Sequence, residues 1–393
     1  MCNDWRNERR RYHDWYMEWC RRNNYNWDND YYRECYNKWY SCYSKNYEMV
    51  EYSSSFNKCG NILISDQFNN RVIEVDNKCQ IVWSFGKGPL DFTPNSPIGV
   101  NDAQRVGELT LIAATGTPPG LIDEAPNGFV DSRVLLVNQQ GVVVWQYGQF
   151  GITGSGFNLL NTPVQATFIG SKKCCKCNHT NDLCGTVLIS DQGNNRIIEV
   201  NKDKQIIWQF PDVSSNIVLN SPNSAEKLMN HNVLIADENN NRAIEVDMIG
   251  NIVAVYTASG TLGACAFASR LENGNTLLTD AGNNRAVEVD ISDNIVWQYS
   301  TNTEFNSVSS SVPTRALRLK NGNTVISDQL NNRVIVVNKT AVIMDYFGLP
   351  LSGGSGVIGD NSGYNLLTSQ LGLYAPYDAK FIDDYTGITK PWR

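Results

Sequence analysis

The sequence predicts an all-β fold, a six-bladed propeller, on three observations. First, one segment recurs five times: GNILISDQFNNRVIEVDNKCQIVW at 60–83, GTVLISDQGNNRIIEVNKDKQIIW at 185–208, NVLIADENNNRAIEVDMIGNIV at 232–253, GNTLLTDAGNNRAVEVDISDNIVW at 274–297 and GNTVISDQLNNRVIVVNKTAVIM at 322–344. Self-similarity at roughly 40–50 residues marks a repeat architecture. Second, each copy holds three strand-length runs rich in Val and Ile, separated by turn residues. Third, a further strand precedes the copies, marked by Pro and then Ala: Pro163-Val-Gln-Ala166, Pro222-Asn-Ser-Ala225 and Pro313-Thr-Arg-Ala316. Four short antiparallel strands per unit is the pattern of a propeller blade. A helical solenoid would need helical periodicity, and the repeats have none.

In the first copy the predicted strands are Ile62–Ser65, Val72–Val75 and Ile81–Phe85. Asp66-Gln-Phe-Asn-Asn70 separates the first two, and its residue types tolerate tight turns and left-handed backbone. Asp76-Asn-Lys-Cys79 makes the next hairpin loop. The stretch 97–147 reads as a degenerate second blade, with strands at Glu108–Ala114, Arg133–Asn138 and Val142–Tyr147. It lacks the Asn-Asn-Arg turn and carries a Pro- and Gly-rich insertion, Gly116–Asp131. The first copy has no leading strand, whereas Ala375-Pro-Tyr-Asp-Ala-Lys-Phe-Ile-Asp383 has the leading-strand pattern with no blade after it. Ring closure by the C-terminal strand solves both, protects sheet edges and brings the count to six blades.

The spacing Asp-x-x-x-x-Arg recurs in all five copies as Asp66/Arg71, Asp191/Arg196, Asp237/Arg242, Asp280/Arg285 and Asp328/Arg333. A catalytic centre needs one arrangement, whereas framework residues repeat with the framework. These pairs are therefore expected to tie each Asp turn to neighbouring backbone. The repeated Glu74, Glu199, Glu245 and Glu288 alternate with apolar residues and become Val336 in the last copy. A solvated or salt-bridged face is expected of them.

These repeats resemble the NHL repeat, a six-bladed propeller family. The linkers Phe150-Gly-Ile-Thr-Gly-Ser-Gly-Phe-Asn-Leu-Leu-Asn-Thr-Pro163 and Phe347-Gly-Leu-Pro-Leu-Ser-Gly-Gly, with Tyr364-Asn-Leu-Leu, are similar to the Gly-rich segments joining NHL blades. The resemblance covers about 58–390. There is also some similarity to the repeats of arylsulfotransferase-like propellers, so the resemblance implies a fold and leaves activity open.

Residues 1–48 differ in kind. They contain no Leu, Ile, Val, Phe, Ala, Gly or Pro, and they hold five Trp, nine Tyr and four Cys. Trp5, Tyr12, Trp15 and Trp19 fall at helical spacing, as do Tyr32, Cys35, Trp39 and Cys42. This predicts a short α-helical hairpin turning at Asn23–Asp30. So many aromatics cannot be buried within so short a segment. An interaction surface carried by Trp5, Trp15, Trp19, Tyr32 and Trp39 is expected, toward a protein partner or a second copy. Two domains result: an aromatic, Cys-rich arm at 1–48 and a propeller at 49–393.

The net charge of −7 argues against a nucleic-acid partner, which calls for a basic face. No run approaches the apolar length of a membrane span, and no signal peptide is visible. Antiparallel pairing around the Asp66–Arg71 turn brings Cys59 and Cys79 close enough to bond. Cys174, Cys175, Cys177 and Cys184 flank a loop that fits a cross-hairpin disulfide, a zinc site with His179, or free thiols. Its spacing matches no standard zinc pattern, so no metal is assigned. Cys20 and Cys35 are further disulfide candidates in the arm. Oxidisable cysteines without a secretion signal point to a particle assembled inside a cell and later exposed, such as a virion or spore surface. Asn at about one residue in eight fits an AT-rich genome.

Propeller enzymes need ligands or bases at the channel mouth. This chain has only His13, His179 and His231, and His231 occupies the Gly position of an Asn-Gly-like turn. Asp102, Glu108 and Glu226 lie near leading strands as possible cation ligands. No catalytic set can be assembled and no cofactor is implied. The expected function is a non-enzymatic structural or interaction protein, its arm anchoring a propeller that presents a binding face. The alternative is a lyase-, lactonase- or sulfotransferase-like enzyme using a channel-mouth cation.

Overall fold

A computed structural model of the chain describes residues 56–78, 80–123, 125–170, 185–212, 215–304, 307–348 and 372–384. The arm, Cys79, the Cys174–Cys184 loop and most of the 349–373 linker lie outside the described residues.

The described residues form six four-stranded antiparallel sheets. Blade 1 holds β1 (Ile62–Asp66), β2 (Arg71–Val75) and β3 (Ile81–Phe85), completed by β24 (Pro376–Phe381), which pairs with β1. The C-terminal strand therefore closes the ring as its Pro-Tyr-Asp-Ala pattern predicts. Blade 2 is β4 (Val100–Val106), β5 (Leu109–Thr117), β6 (Phe129–Val137) and β7 (Val143–Gly148). Blade 3 runs through β8 (Pro163–Gly170), β9 (Gly185–Asp191), β10 (Arg196–Asn201) and β11 (Ile206–Phe210). Blade 4 follows with β12 (Pro222–Lys227), β13 (Val233–Asp237), β14 (Arg242–Val246) and β15 (Ile252–Tyr256). Blade 5 is β16 (Cys265–Arg270), β17 (Thr276–Asp280), β18 (Arg285–Val289) and β19 (Ile295–Ser300). Blade 6 is β20 (Pro313–Arg318), β21 (Thr324–Asp328), β22 (Arg333–Val337) and β23 (Ile343–Phe347). The innermost strands β24, β4, β8, β12, β16 and β20 meet one another in cyclic order around a central channel. The apolar core is divided into seams between neighbouring sheets, such as Leu136, Phe168 and Ile189 between blades 2 and 3.

The repeated Asp-x-x-Asn-Asn-Arg motif folds into a single 3-10 turn. In the first copy, Gln67–Asn69 form that turn and Asn70 ends it in the left-handed conformation, at φ 48. Asn tolerates that conformation far better than branched residues do. Arg71 Nε donates to Asp66 Oδ2 at 2.7 Å, and its second nitrogen donates to the Gly372 carbonyl at 2.8 Å. Asp66 Oδ1 accepts from the Tyr374 N–H in the same linker at 2.8 Å. Arg196, Arg242, Arg285 and Arg333 pair with their Asp residues at 2.6–2.8 Å. The left-handed Asn reaches forward instead: Asn70 accepts from Gly99 N–H, Asn195 from Ser221 N–H and Asn332 from Ala375 N–H. One motif thus touches the linker on either side of its blade.

Blade 2 departs from the sequence reading. In β5 the residue opposite Arg133 is Ala114, where blade 1 pairs Asp66 with Arg71. The missing carboxylate comes from the insertion: Asp131 pairs with Arg133, and its other oxygen accepts from Ile98 N–H at 2.7 Å. Arg133 also donates to the carbonyls of Pro94 and Ser96, each at 2.9 Å. A sixth Asp–Arg pair therefore exists at a spacing of two residues. The insertion is partly packed against the ring. Its flanks extend β5 and β6, and Ile122 and Ala125 bury against Phe68 and Tyr374 of blade 1.

The repeated Glu residues are buried rather than solvated. Each pairs with a cation on the innermost strand of the next blade: Glu74 with Arg105 at 2.5 Å, Glu199 with Lys227 at 3.5 Å, Glu245 with Arg270 at 2.9 Å and Glu288 with Arg318 at 2.9 Å. At the other two seams both partners are apolar, Leu136 beside Phe168 and Val336 beside Phe381. The loss of Glu in blade 6 is matched by loss of its cation in blade 1.

Candidate functional site: the channel and its mouth

Every innermost strand carries a β-bulge after its first residue, leaving Asn101, Val164, Asn223, Ala266, Thr314 and Tyr377 outside the register. Bulges re-aim side chains, and they recur beside sites for that reason. Beyond the bulge, alternate residues face the channel, while Ala103, Ala166, Ala225 and their equivalents face the blade.

The channel edge of each innermost strand has unpaired N–H groups that need acceptors. Channel side chains of the preceding blade supply them on β4, β8, β12 and β16, and Asp378 Oδ2 accepts from Ala103 N–H at 3.4 Å. Asp102 Oδ2 accepts from Ala166 N–H at 3.3 Å, Gln165 Oε1 from Ala225 N–H at 2.6 Å and Ser224 Oγ from Ala268 N–H at 3.2 Å. One step deeper, Gln104 Oε1 accepts from Phe168 N–H at 2.8 Å and Glu226 Oε2 from Arg270 N–H at 2.9 Å.

Two cations fill the middle. Arg315, 1% exposed, reaches from blade 6 across the axis. It donates to Asn223 Oδ1 at 2.8 Å, the Ala266 carbonyl at 3.1 Å and the Val164 carbonyl at 3.3 Å. Its guanidinium also stacks on the rings of Phe267 and Tyr377. Lys380 donates to Asp102 Oδ1 at 2.6 Å, to the Ala103 carbonyl at 3.0 Å and to Asp378. Burial pulls the Lys380 ammonium toward the neutral form, but Asp102 and Asp378 outweigh it and raise its pKa. Burial pushes Asp102 up to about 6, with Lys380 opposing. Glu226, with no ion pair of its own, is pushed by burial up to about 8.

The mouth lies at the end where the 3-10 turns stand. The first turn residue is Gln67, Gln192, Glu238, Ala281 or Gln329, and all but Ala281 join two hydrogen-bonded arcs. In one, Gln329 donates to Gln67 at 2.7 Å and Gln67 to Asn101 at 3.0 Å. In the other, Gln192 and Asn223 donate to Glu238 Oε2 at 3.0 and 2.8 Å, and Asn223 crosses the axis to Tyr377 Oη at 2.9 Å. Burial raises the pKa of Glu238, with Asn223 and Arg315 opposing. Burial likewise raises Tyr377.

The three possible cation ligands are not brought together. Glu108 is exposed on the β4–β5 turn, Asp102 is committed to Lys380 and Ala166, and Glu226 sits a layer deeper. Among the described residues no group of His, Cys, Asp and Glu has the makings of a metal site. His231 is exposed at φ 70 on the β12–β13 turn, in the Gly-like position its sequence context predicts. Cys265 is fully buried at the start of β16, and Cys59 is exposed. Its expected partner Cys79 lies outside the described residues, as do Cys20, Cys35, the Cys174–Cys184 loop and the arm aromatics Trp5, Trp15, Trp19, Tyr32 and Trp39. No helix of the described residues is long and apolar enough to cross a membrane. Sequence reasoning missed Arg315, Lys380 and Tyr377. Their only signal was that their positions vary from blade to blade where the framework residues repeat.

No family model matches the chain, and no curated protein is similar to it at a significant level. Among solved structures, virginiamycin B lyase from Staphylococcus aureus with quinupristin is 14% identical, covering 67% of this chain and 73% of that one, at a TM-score of 0.42. The nidogen/laminin complex gives 13% identity, covering 73% and 92%, at a TM-score of 0.46. A protein of unknown function from Bacteroides caccae gives 12% identity, covering 74% and 93%, at a TM-score of 0.46. What the protein is rests on its own geometry: a six-bladed all-β propeller whose channel holds Arg315, Lys380 and Tyr377.

Proposed function

We propose that the chain is a non-enzymatic interaction scaffold, an NHL-like propeller whose arm at 1–48 attaches it to a larger assembly such as a virion or spore surface. One observation carries this reading. The channel is occupied by Arg315, Lys380 and Tyr377, whose polar contacts are made within the protein. Little chemistry is left free at its centre. The five Asp–Arg pairs, with Asp131–Arg133, serve as framework on this reading. Asp66, Asp191, Asp237 and Asp280 accept from linker N–H groups, and Arg71, Arg285 and Arg333 donate to linker carbonyls. Disulfides at Cys59–Cys79 and across the Cys174–Cys184 loop would stiffen rims exposed to an oxidising exterior, each by ~2–4 kcal/mol.

The test compares the full chain with 49–393 by solution mass, oxidised and reduced. Assembly of the full chain beside a monomeric 49–393 supports the anchor. Two monomers overturn it. A second reading, an enzyme acting at the mouth, draws on Glu238, whose carboxyl is raised by burial and lies among Asn223, Tyr377 and Arg315. Turnover abolished by Glu238→Gln, with the fold intact, would favour it.

A further inference from the structure

Three Asn-Gly pairs occur in the chain: Asn127-Gly128, Asn273-Gly274 and Asn321-Gly322. Such a pair is chemically exposed because glycine has no Cβ to shield its backbone nitrogen from the neighbouring carboxamide. Asn273 and Asn321 occupy the same position on equivalent hairpins, β16–β17 and β20–β21, and their glycines share nearly the same φ, +89 and +86. Their surroundings differ in two respects.

The first is what holds the carboxamide. Asn273 donates from Nδ2 to Glu288 Oε1 at 3.0 Å while its Oδ1 accepts from Asn275 N–H at 3.0 Å, so both ends are fixed. In blade 6 the Glu has become Val336. Asn321 keeps only the contact from Asn323 N–H to its Oδ1, at 2.9 Å. Among the described residues its Nδ2 has no partner. The second difference is charge. The Lys339 side chain lies over Gly322, with Nζ 3.1 Å from the point where a Cβ would stand, whereas nothing lies within 4 Å of that point on Gly274. The turn bond of the glycine nitrogen is common to both hairpins, Gly322 N–H to the Leu319 carbonyl at 2.8 Å and Gly274 N–H to the Leu271 carbonyl at 3.0 Å, whereas an ammonium beside Gly322 favours negative charge developing there. At Gly128 the corresponding neighbour is the Thr117 carbonyl oxygen, at 2.7 Å, which has the wrong polarity.

We propose that Asn321 is the leading site of spontaneous deamidation in this protein. The Gly322 backbone nitrogen bonds to Asn321 Cγ and ammonia leaves, giving a succinimide. Water then opens either carbonyl to give Asp or isoaspartate. One water is consumed and one ammonia released, with no change of oxidation state. The position matters to the ring. Lys320 donates from its backbone N–H to both oxygens of Asp384, at 3.1 and 3.2 Å, and from Nζ to the Asp383 carbonyl at 2.8 Å. These residues immediately follow β24. A new carboxylate or an isoaspartyl backbone at 321 adjoins the Lys320 contacts to Asp383 and Asp384 and weakens the hold on the end of the closing strand.

The experiment incubates the folded full chain at mildly alkaline pH and follows each site by peptide mapping, with isoaspartyl methyltransferase labelling as a second readout. A parallel sample is unfolded in urea, where both hairpin sites become plain Asn-Gly-Asn. The expected result is conversion at Asn321 several-fold faster than at Asn273 or Asn127 in the folded chain. In urea, Asn321 and Asn273 should converge, and Lys339→Met should slow Asn321 alone in the folded protein. Equal rates at Asn321 and Asn273 in the folded chain overturn the proposal. So does an Asn321 lead that survives unfolding undiminished, since the cause would then be sequence and not structure.

Discussion

The seam between blades 5 and 6 offers a direct test of the pairing rule, because the protein already contains the alternative. Glu288 and Arg318 form an ion pair at 2.9 Å with side chains 7% and 14% exposed. The next seam places Val336 and Phe381 at the same positions. Replacing Arg318 by Phe strands Glu288 with only Asn273 and Asn275 as donors. Removing one partner of a fully buried pair costs ~3–5 kcal/mol. Residual exposure discounts that here to about 2 kcal/mol. Glu288→Val costs less, about 1 kcal/mol, because Arg318 keeps Thr324 Oγ1 at 2.9 Å and its stack on Trp297. The double variant rebuilds the Val–Phe seam and should unfold within about 1 kcal/mol of the parent, as replacing an ion pair by apolar residues often does. A urea double-mutant cycle then yields a coupling of about 2–4 kcal/mol. A coupling near zero would refute the argument, since Glu and cation would then be independent surface charges. The pH dependence gives a second check. Burial acts to raise the Glu288 pKa, but Asn275, Asn273 and Arg318 outweigh it and hold it below its ordinary 4.5. A depressed carboxyl contributes stability above its unfolded pKa and loses it as pH falls through the folded one. The parent's coupling should therefore shrink below about pH 4.5, while the Val–Phe seam stays flat.

Other consequences follow from the same contacts. Glu226 has a folded pKa of about 8 against an ordinary 4.5, so the folded state holds its proton more tightly than the unfolded chain does. Glu226→Gln should match the parent in acid, exceed its stability as pH rises from 4.5, and stop gaining near 8; a gap independent of pH would contradict the burial argument. Asp131→Ala leaves Arg133 buried without its carboxylate and should cost about 3–5 kcal/mol in urea unfolding, as much as Asp191→Ala in a regular blade. A loss under about 1 kcal/mol would mean the sixth pair is decorative. Arg315→Met orphans the Asn223 carboxamide oxygen and the Ala266 and Val164 carbonyls. At ~1–3 kcal/mol for each buried acceptor, a marked fall in the unfolding midpoint is expected, and an unchanged midpoint would show that water takes over those contacts.

What the sequence disclosed, and what it hid, divides along the repeat. Ring closure was legible because Pro376, Asp378 and Ala379 carry a leading-strand pattern with no blade to lead. The Asp–Arg spacing was legible because it recurs with strict register, Asp66 opposite Arg71 and Asp328 opposite Arg333. The Asp131–Arg133 pair was not, because its carboxylate comes from an insertion two residues away rather than from the turn. The Glu–cation seams needed a contact between residues about 30 positions apart, as with Glu74 and Arg105. Repeat alignment shows Glu as a column and Arg as another, but only the packed sheets place one blade's column against the next blade's. With that geometry known, the paired exceptions, Leu136 with Phe168 and Val336 with Phe381, become readable in the sequence itself.

A closed ring of similar blades separates two kinds of residue. Those that repeat are largely spoken for: Arg pairs with Asp in every copy, Asn and most of the Asp residues bind linkers, Glu binds the next blade, and Ala faces the sheet. A repeated residue has six equivalent positions, and selection for assembly acts on all of them. Function that depends on one ligand in one orientation must come from residues that break the repeat. In this channel those are Arg315, Lys380, Asp378, Asp102, Glu226 and Tyr377, and at the mouth Glu238 and Ala281. The first three and Asp102 are consumed in neutralising one another or in spanning the axis. Symmetry breaking here has closed the channel, whereas an open channel would need unpaired donors aimed at its centre. Also asymmetric is the turn-side mouth, where Glu238 accepts from Gln192 and Asn223 while the equivalent Ala281 offers no polar side chain.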